Sequence, residues 1–349
     1  MGSVSRPEVR LSSSIFRANI GTVRDRVAPS ALMLVVKDDA YAHGLSWAVR
    51  AAVEAGIDWF GSYDIRTGLS VRRLAGGDAR IFAWATSTDS EIDDALMQRL
   101  DLGVGTTDYL RRIIARAEAL GTTARVHLKI DTGLHRNGIL PEDWASAVDE
   151  ARRAERAGAL ELEGVWSHIA EASDEEDDIA QAAFLDAVRI VGETGSVPAA
   201  LHLTASAASW WRPELRGTVS RIGAFCYGIR SAEGPELEGV RPAASLVAKV
   251  SAVDGDRVTI SLGSFDGLPS TLSGSLVGTP EGARTLVSIG HTSSIVDGWR
   301  GAEVGAEVVV FGAGAQGEAS ATTLAERIDT VGEEILTRLT PRVRRVVAD

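Results

Sequence analysis

Eight short apolar segments alternate with helical segments over the first two-thirds of the chain, and this alternation constrains the fold most. The apolar segments are rich in β-branched and aromatic residues, which is typical of buried parallel strands. Most are separated by Ala-, Arg- and Glu-rich stretches with helical spacing, such as 46–56, 64–74, 107–121 and 177–195. The eight segments are LMLVV (32–36), WFGSY (59–63), RIFAWA (80–85), LGVG (102–105), ARVHLKI (124–130), LELEGVWSH (160–168), ALHLTA (200–205) and TVSRIG (218–223).

Eight strand–helix units of this size predict an α/β fold of the (β/α)₈ TIM-barrel type. Such units connect parallel strands through right-handed crossovers, and eight of them close a barrel of this length. A doubly wound open sheet is the alternative. No Gly-rich dinucleotide fingerprint follows the first strand, which weakens that alternative.

The pattern changes near residue 236. The stretches 245–264, 283–298 and 306–314 read as short strands separated by Gly-containing turns, and 323–339 reads as one late helix. We therefore predict a barrel domain over 1–235, followed by a smaller C-terminal β domain over 236–349.

Composition excludes several classes of function. The net charge of −12 argues against a nucleic-acid surface, which needs clustered basic residues. Cys226 is the only cysteine, no apolar run reaches the length of a membrane span, and the opening residues lack a secretory core. We expect a cytoplasmic protein with no nucleic-acid partner, no membrane partner and no bound metal.

Lysine is scarce, and its positions are informative. Of the 36 basic residues only Lys37, Lys129 and Lys249 are lysines. Lys37 follows the first predicted strand directly. An amine can lose its proton and attack a carbonyl, whereas a guanidinium stays protonated in proteins. The choice of lysine at this position therefore indicates chemistry rather than solubility.

Several polar residues lie at the predicted carboxyl ends of the strands, where barrel enzymes carry their chemistry. Each alone is more often a solvated or capping group, but two of the three lysines are among them. A Schiff-base lysine together with a phosphate site at the RIGAF turn (221–225) suggests pyridoxal 5′-phosphate, although a Schiff-base aldolase would share both features. These strand-end residues are Lys37, Lys129, His168, His202, Ser206, Arg221 and Gly223.

The chain resembles the alanine racemase family, the fold-type III enzymes that use pyridoxal phosphate. VVKDDAYAHGLSWAVRAA (35–52) is similar to that family's lysine motif, and VHLKIDTGLHRNGI (126–139) is similar to its H-x-K-x-D-T-G-M-x-R-x-G. WSHIAEASDEED, LHLTASAA and VSRIGAFCYG match three further motifs in the same order, and EEILTRLTPRVRR resembles the family's C-terminal end. The resemblance covers essentially the whole chain.

The resemblance implies a role for each matching residue. Lys37 would carry the cofactor as a Schiff base, and Arg221 would face its pyridine nitrogen. Arg136, oriented by an often carbamylated Lys129, would contact the phenolic oxygen and the substrate carboxylate, while His168 would lie beside the ring. The residues that would bind the phosphate are Tyr41, Ser206, Gly223 and Ala224. The resemblance also implies a homodimer with shared active sites and an amino acid as the small-molecule substrate.

An arginine at the pyridine nitrogen has a physical consequence. A fixed cation keeps that nitrogen unprotonated, so the ring withdraws electrons less strongly. A weaker electron sink disfavours transamination and favours quick return of the proton to Cα, which suits racemisation.

One part of the family pattern is missing. Racemisation needs acid–base groups on both faces of the substrate, and in the family a tyrosine of the partner's β domain serves the second face. All four tyrosines here precede residue 236. We predict that His291, the only histidine of the β domain, replaces it, with Ser264 and Asp266 as weaker candidates. The alternatives are non-racemase chemistry (decarboxylation, elimination or one-base exchange) or cofactor binding without turnover.

Overall fold

The eight predicted barrel strands all form, and they run parallel. The computed structural model describes residues 6–349. Strand β1 (Glu8–Leu11) belongs to a second sheet. The barrel strands are β2 (Ala31–Val35), β3 (Trp59–Tyr63), β4 (Arg80–Ala83), β5 (Asp101–Val104), β6 (Ala124–Lys129), β7 (Leu160–Trp166), β8 (Ala200–His202) and β9 (Val219–Ile222).

The parallel sheet closes on itself. Its strands pair in the order β8-β7-β6-β5-β4-β3-β2-β9. At the remaining seam the amide of Arg221 donates to the carbonyl of Thr204, 3.4 Å away, and the amide of Leu201 donates to the hydroxyl of Thr218 at 2.8 Å. The prediction of a (β/α)₈ barrel is confirmed.

Helices follow most of the barrel strands, and their ends carry the expected signals. Thr106 caps one helix by accepting from the amide of Tyr109, and Gly121 ends it in the left-handed conformation. In the described part of the chain no helix is both long and apolar enough to cross a bilayer. The helices are Ser13–Val27, Leu45–Glu54, Ile65–Ala75, Asp89–Met97, Thr107–Leu120, Pro141–Arg156, Asp174–Glu193, Ser206–Trp211, Ala321–Glu326 and Gly332–Thr337.

The barrel interior is filled by large side chains. Met33, Trp59, Phe82 and Trp166 form a buried cluster together with Ala200 and Val219. Large residues facing small ones let the layers of a barrel interdigitate. The middle of the barrel is therefore a packed core.

The chain divides into two compact units. The barrel unit comprises residues 23–37 and 52–223, and the second unit comprises residues 38–51 and 224–349 together with the described residues up to Thr22. The assignment of 1–235 and 236–349 to two domains stays a prediction.

The second unit contains a mostly antiparallel sheet. β10 (Ala244–Asp254), β11 (Arg257–Ile260), β14 (Ser294–Asp297), β13 (Gly282–Ile289), β12 (Leu276–Thr279) and β15 (Glu307–Phe311) form a ring, because β10 pairs with both β11 and β15. β1 pairs antiparallel with β10, and β16 (Arg344–Val347) pairs parallel with β1. The predicted separate β domain forms, with an N-terminal strand that the sequence pattern did not reveal.

The prediction of one late helix over 323–339 is wrong. Two short helices, Ala321–Glu326 and Gly332–Thr337, replace it. Asp329 between them has a φ of 53°, in the left-handed region, and Val331 is extended. The amides of Ile328 and Thr330 both donate to the carbonyl of Ala325, which ends the first helix. A helical spacing of apolar residues on both sides concealed this turn.

Candidate active site

Lys37 lies two residues beyond the carboxyl end of β2. That strand is buried from Leu32 to Val35, and the amide of Val36 continues the pairing by donating to the carbonyl of Gly61 at 2.9 Å. The Lys37 side chain is half-buried. The backbone that carries the amine is thus fixed by the sheet, at the end of the barrel where such enzymes build their sites.

The chain takes a left-handed turn directly after Lys37. All five residues from Asp38 to Ala42 have φ values of 53–60°. Non-glycine residues adopt this conformation singly as a rule, because Cβ approaches the following carbonyl oxygen. A run of five without a glycine indicates that the surrounding structure dictates the backbone here.

Hydrogen bonds within the second unit hold this left-handed turn. The amide of Ala42 donates to the carbonyl of Asp38 (2.8 Å), and the Nδ1–H of His43 lies 2.9 Å from the carbonyl of Ala40 and 3.0 Å from that of Tyr41. The turn buries the ring of Tyr41, which packs edge-on against Tyr227 with centroids 5.2 Å apart. Burial raises the pKa of Tyr41 well above its usual value, so the hydroxyl keeps its proton and can donate.

The loop after β6 is folded around Asp131. One carboxylate oxygen accepts from the amides of Gly133 (3.0 Å) and His135 (3.1 Å), and the other lies 2.9 Å from Nδ1 of His135. Gly138 has a φ of 141°, and an added Cβ would lie 2.7 Å from the amide nitrogen of Asp131. The loop is therefore tightly folded, and it presents Arg136 with an exposed side chain.

Lys129 ends β6 and points into the same region. Its Nζ is 3.4 Å from the carbonyl oxygen of Arg136 and 4.9 Å from the ring centroid of Trp166. Burial and the cations of Arg221 and Arg136 lower the pKa of Lys129 to about 8. A part of the Lys129 population is therefore a neutral amine near neutral pH.

Arg221 is the most extensively bonded side chain of the site. Its Nη1 donates to the carbonyl of His202 (2.7 Å) and to Nδ1 of the same residue (3.1 Å). Its Nη2 donates to the carbonyls of Ser167 (2.8 Å) and Leu203 (3.1 Å) and to Nδ1 of His168 (3.2 Å). Among the residues that the structure describes, no acceptor faces Nε–H. One donor of a buried, fully oriented cation thus remains for a ligand.

His168 is held as a neutral imidazole. Because Arg221 can only donate, Nδ1 of His168 accepts and the ring proton is on Nε2. Burial lowers the pKa of His168 to about 3, and the cations of Arg221, Arg136, Lys129 and Lys37 contribute in that order. Four basic side chains therefore act on one imidazole, and the carboxyl end of the barrel is electropositive although the whole chain is acidic.

Ser206 and Gly223 face each other across neighbouring strand ends. The amide of Gly223 donates to Oγ of Ser206 at 3.3 Å, which leaves the hydroxyl hydrogen of Ser206 free to turn towards an anion. Ala224 follows Gly223 in the chain and is buried in the second unit. A hydroxyl and consecutive backbone amides are the groups that proteins commonly use to bind phosphate.

His291 lies in the second unit, on an exposed segment after β13. Its ring stacks on Phe265 with centroids 5.0 Å apart. Asp266 nearby is buried, accepts from the amide of Gly263 (2.9 Å) and pairs with Arg342 (2.8 Å). Asp266 is thus occupied in structural contacts, whereas the imidazole of His291 remains accessible.

The predicted residues divide between the two units. The barrel unit brings Lys37, Lys129, Arg136, His168 and Arg221 to one end, with the Ser206–Gly223 pair at neighbouring strand ends. Tyr41, Ala224 and His291 belong to the second unit.

Sequence reasoning missed three side chains inside the barrel: Asp101, His127 and Trp166. Asp101 and His127 each have an apolar residue on both sides in the sequence, whereas Trp166 ends β7. An unexplained polar residue inside a buried strand was the available signal for Asp101 and His127.

Comparison with known proteins gives a consistent result. The family model "Alanine racemase, N-terminal domain" matches residues 11–231, and "Alanine racemase, C-terminal domain" matches residues 249–347. The alanine racemase of Thermobifida fusca is 34% identical, over 97% of each chain.

Solved structures agree in fold over the full length. The alanine racemase of Streptomyces coelicolor A3(2) superposes with a TM-score of 0.91 at 32% identity, covering 99% of this chain and 98% of that one. The enzyme from Streptomyces lavendulae gives 0.90 at 32% identity, with 99% and 97% covered. Both family models and these full-length likenesses lead to one conclusion: the chain belongs to the alanine racemase family of pyridoxal 5′-phosphate-dependent isomerases.

Proposed function

We propose that the chain is an amino-acid racemase in which the Lys37 amine binds the aldehyde of pyridoxal phosphate covalently. The observation that carries this proposal is the convergence of Lys37, Lys129, Arg136 and Arg221 on the neutral His168. A phosphorylated cofactor and the carboxylate of an amino acid are both anions, and they would compensate this cluster of positive charge.

The donors of the barrel unit fit the cofactor. The Nε–H of Arg221 suits a pyridine nitrogen, because a guanidinium donates without giving up its proton. The nitrogen would then stay unprotonated. Ser206 and Gly223 would bind the phosphate, and by resemblance to the family Tyr41 and Ala224 would complete its binding.

Each remaining residue has a defined task in this proposal. Bound pyridoxal phosphate withdraws electrons from Cα of the amino acid and so acidifies its hydrogen. Lys37 would move that proton on one face, and Arg136 would hold the substrate carboxylate with Lys129 behind its loop. His168 stays neutral, so its Nε2–H can donate to a ligand without adding a charge.

We further propose that His291 of one copy moves the proton on the opposite face in a homodimer. The support is its accessible imidazole beside Phe265 and the lack of any tyrosine from residue 236 onward. That same lack favours a second candidate: a family member with one working base, which exchanges the Cα hydrogen without inverting configuration.

A cofactor test and an exchange test decide between these functions. Lys37→Ala should remove the visible absorption of the bound cofactor, whereas Lys249→Ala, a lysine of the second unit, should leave it unchanged. Deuterium from heavy water should then enter both enantiomers of the true substrate, found by screening both enantiomers of the common amino acids. Label in one enantiomer only would favour the one-base candidate, and no absorption in the unaltered protein would overturn the proposal.

A mixing experiment tests the shared site and His291 together. Lys37→Ala and His291→Ala should each be inactive alone. Randomly mixed dimers should regain about a quarter of the normal activity, because half of them contain one site with both intact groups. A fully active His291→Ala protein would remove His291 from the mechanism, and no recovery on mixing would contradict the shared site.

A further inference from the structure

Four polar side chains form a continuous hydrogen-bonded chain through the interior of the barrel. Nη1 of Arg221 lies 3.1 Å from Nδ1 of His202, whose Nε2 lies 2.8 Å from Nδ1 of His127. Nε2 of His127 lies 3.4 Å from Oδ2 of Asp101. None of the four residues is more than 5% exposed. This hydrogen-bonded chain runs from Arg221, at the carboxyl end of the barrel strands, to Asp101, at their amino end.

The protons along this chain are fixed by its two ends. Arg221 can only donate, so Nδ1 of His202 accepts and the proton of that ring is on Nε2. Nε2–H of His202 then donates to Nδ1 of His127, which places the proton of His127 on Nε2, facing Asp101. Both imidazoles are therefore neutral, in the Nε2–H form, and every bond of the chain points the same way.

The far end of the chain is an anchored anion. Asp101 pairs with Arg80 at 2.8 Å and with Arg125 at 3.1 Å, and Glu163 bonds to both of these arginines. Burial alone favours the neutral carboxyl, but the two guanidinium groups within 3.1 Å of its oxygens favour the carboxylate. Asp101 therefore stays an acceptor for His127.

Aromatic neighbours prevent the two imidazoles from turning. Trp166 stacks on His202 with an interplanar angle of 9°, and Phe82 packs against both His127 (4.9 Å) and His202 (5.1 Å). The indole N–H of Trp166 in turn donates to the carbonyl of His127 at 3.1 Å. The rings can change their hydrogen-bond pattern only by changing tautomer.

We propose that His202, His127 and Asp101 are positioning residues that orient Arg221 and leave its Nε–H for the ring nitrogen of the cofactor. This inference rests on the proposed function. If His127 took the Nδ1–H form, it would donate to His202 and force the proton of His202 onto Nδ1. Nδ1–H of His202 and Nη1–H of Arg221 would then face each other as two donors without an acceptor. This repulsion would turn the guanidinium away from its present contacts.

The tautomers can be read from the unaltered protein. Nitrogen-15 NMR of the six histidines, in the cofactor-free and the loaded protein, should find His127 and His202 neutral with the proton on Nε2. Spectra assigned by single histidine substitutions keep this test independent of activity. An imidazolium or an Nδ1–H form at either position would overturn the inference, whatever the enzyme catalyses.

A substitution pair tests the consequence for Arg221. His127→Phe keeps a ring but removes the acceptor of His202. Phe82→Leu is the matched control, because it disturbs the packing around both imidazoles but leaves every donor and acceptor of the hydrogen-bonded chain in place. In His127→Phe the Nε2–H of His202 loses its acceptor, and only the bond from Arg221 still favours that tautomer. A part of the His202 population should therefore shift to the Nδ1–H form. His127→Phe should also lower kcat roughly three- to tenfold with little change in KM, and speed conversion of the bound cofactor to its amine form by a similar factor.

The outcomes separate the two proposals. Equal losses of kcat in His127→Phe and Phe82→Leu, with His202 still uniformly in the Nε2–H form, would contradict the positioning role. The proposed function would still stand if the unaltered enzyme shows the absorption of the bound cofactor. If the unaltered enzyme showed no absorption of a bound cofactor, the proposed function would be wrong. The NMR result would still decide whether the hydrogen-bonded chain from Arg221 to Asp101 exists.

Discussion

Replacing Ala42 by glycine should not destabilise the protein, although the same change in an ordinary helix does. Ala42 has a φ of 60° and ends the left-handed turn that follows Lys37. Left-handed backbone costs an alanine about 1–2 kcal/mol, and glycine is free of that cost. Glycine loses roughly 0.5–1 kcal/mol through its more flexible unfolded state, and the half-buried methyl group is worth up to about 0.4 kcal/mol. Together these ranges give a change between about −0.4 and +1.5 kcal/mol, so the expected effect is a small gain in stability of about 0.5 kcal/mol.

Ala182→Gly is the matched control. Ala182 is exposed in the middle of helix Asp174–Glu193, where the same substitution should cost about 1 kcal/mol. Urea unfolding, followed by far-ultraviolet circular dichroism at one protein concentration, measures both free energies of unfolding. Equal destabilisation by the two substitutions would show that the turn carries no strain at Ala42 and would refute the reasoning.

Three further predictions concern Lys129 and the loop that follows it. Labelling of Lys129 by an amine-specific reagent should be half-maximal near pH 8, since burial and neighbouring cations lower its pKa to about 8; with only three lysines in the chain, mass spectrometry can follow each one. The same lowered pKa predicts that the free energy of unfolding rises with pH between about 8 and 10.5, because the charged amine is penalised only in the folded state. Lys129→Met should abolish this rise. Labelling of Lys129 only near pH 10.5 would contradict the labelling prediction and the stability prediction. Gly138→Ala should cost at least about 2 kcal/mol more than Gly121→Ala, because its Cβ would meet Asp131 at 2.7 Å whereas Gly121 has open space and pays only the left-handed cost. Similar urea midpoints for these two variants would indicate that the Asp131 loop yields at little cost.

The barrel was predictable because its strands are buried on both faces. Such strands are nearly continuous apolar runs, and the eight runs here coincide with β2 to β9 within a few residues. Strand ends are visible in the same pattern, so the positions of Lys37, Lys129 and Arg221 at one end of the barrel could be inferred. Strand β1 could not, since Glu8–Leu11 is short, and its partners lie more than 200 residues away.

Other features depend on tertiary contacts that leave no local trace. No glycine or asparagine marks the left-handed turn over Asp38–Ala42, because distant packing imposes its conformation. The chain from Arg221 to Asp101 joins four different strands, and its distances exist only once the barrel has closed. The sequence shows that His127 and Asp101 are polar residues in apolar strands, which indicates a role inside the barrel. It does not show which residue each of them bonds to.

The position of β1 has a consequence for how the protein is made. β1 lies between β10 and β16, and Glu8 is 336 residues away from its partner Arg344. At about 5–20 residues per second, a ribosome needs roughly 20–70 s to produce the second of these strands after the first. β1 can pair with β10 earlier, but its pairing stays incomplete until β16 has been made. A recombinant fragment beginning near residue 236 would lack β1, expose the bare edges of β10 and β16, and tend to aggregate.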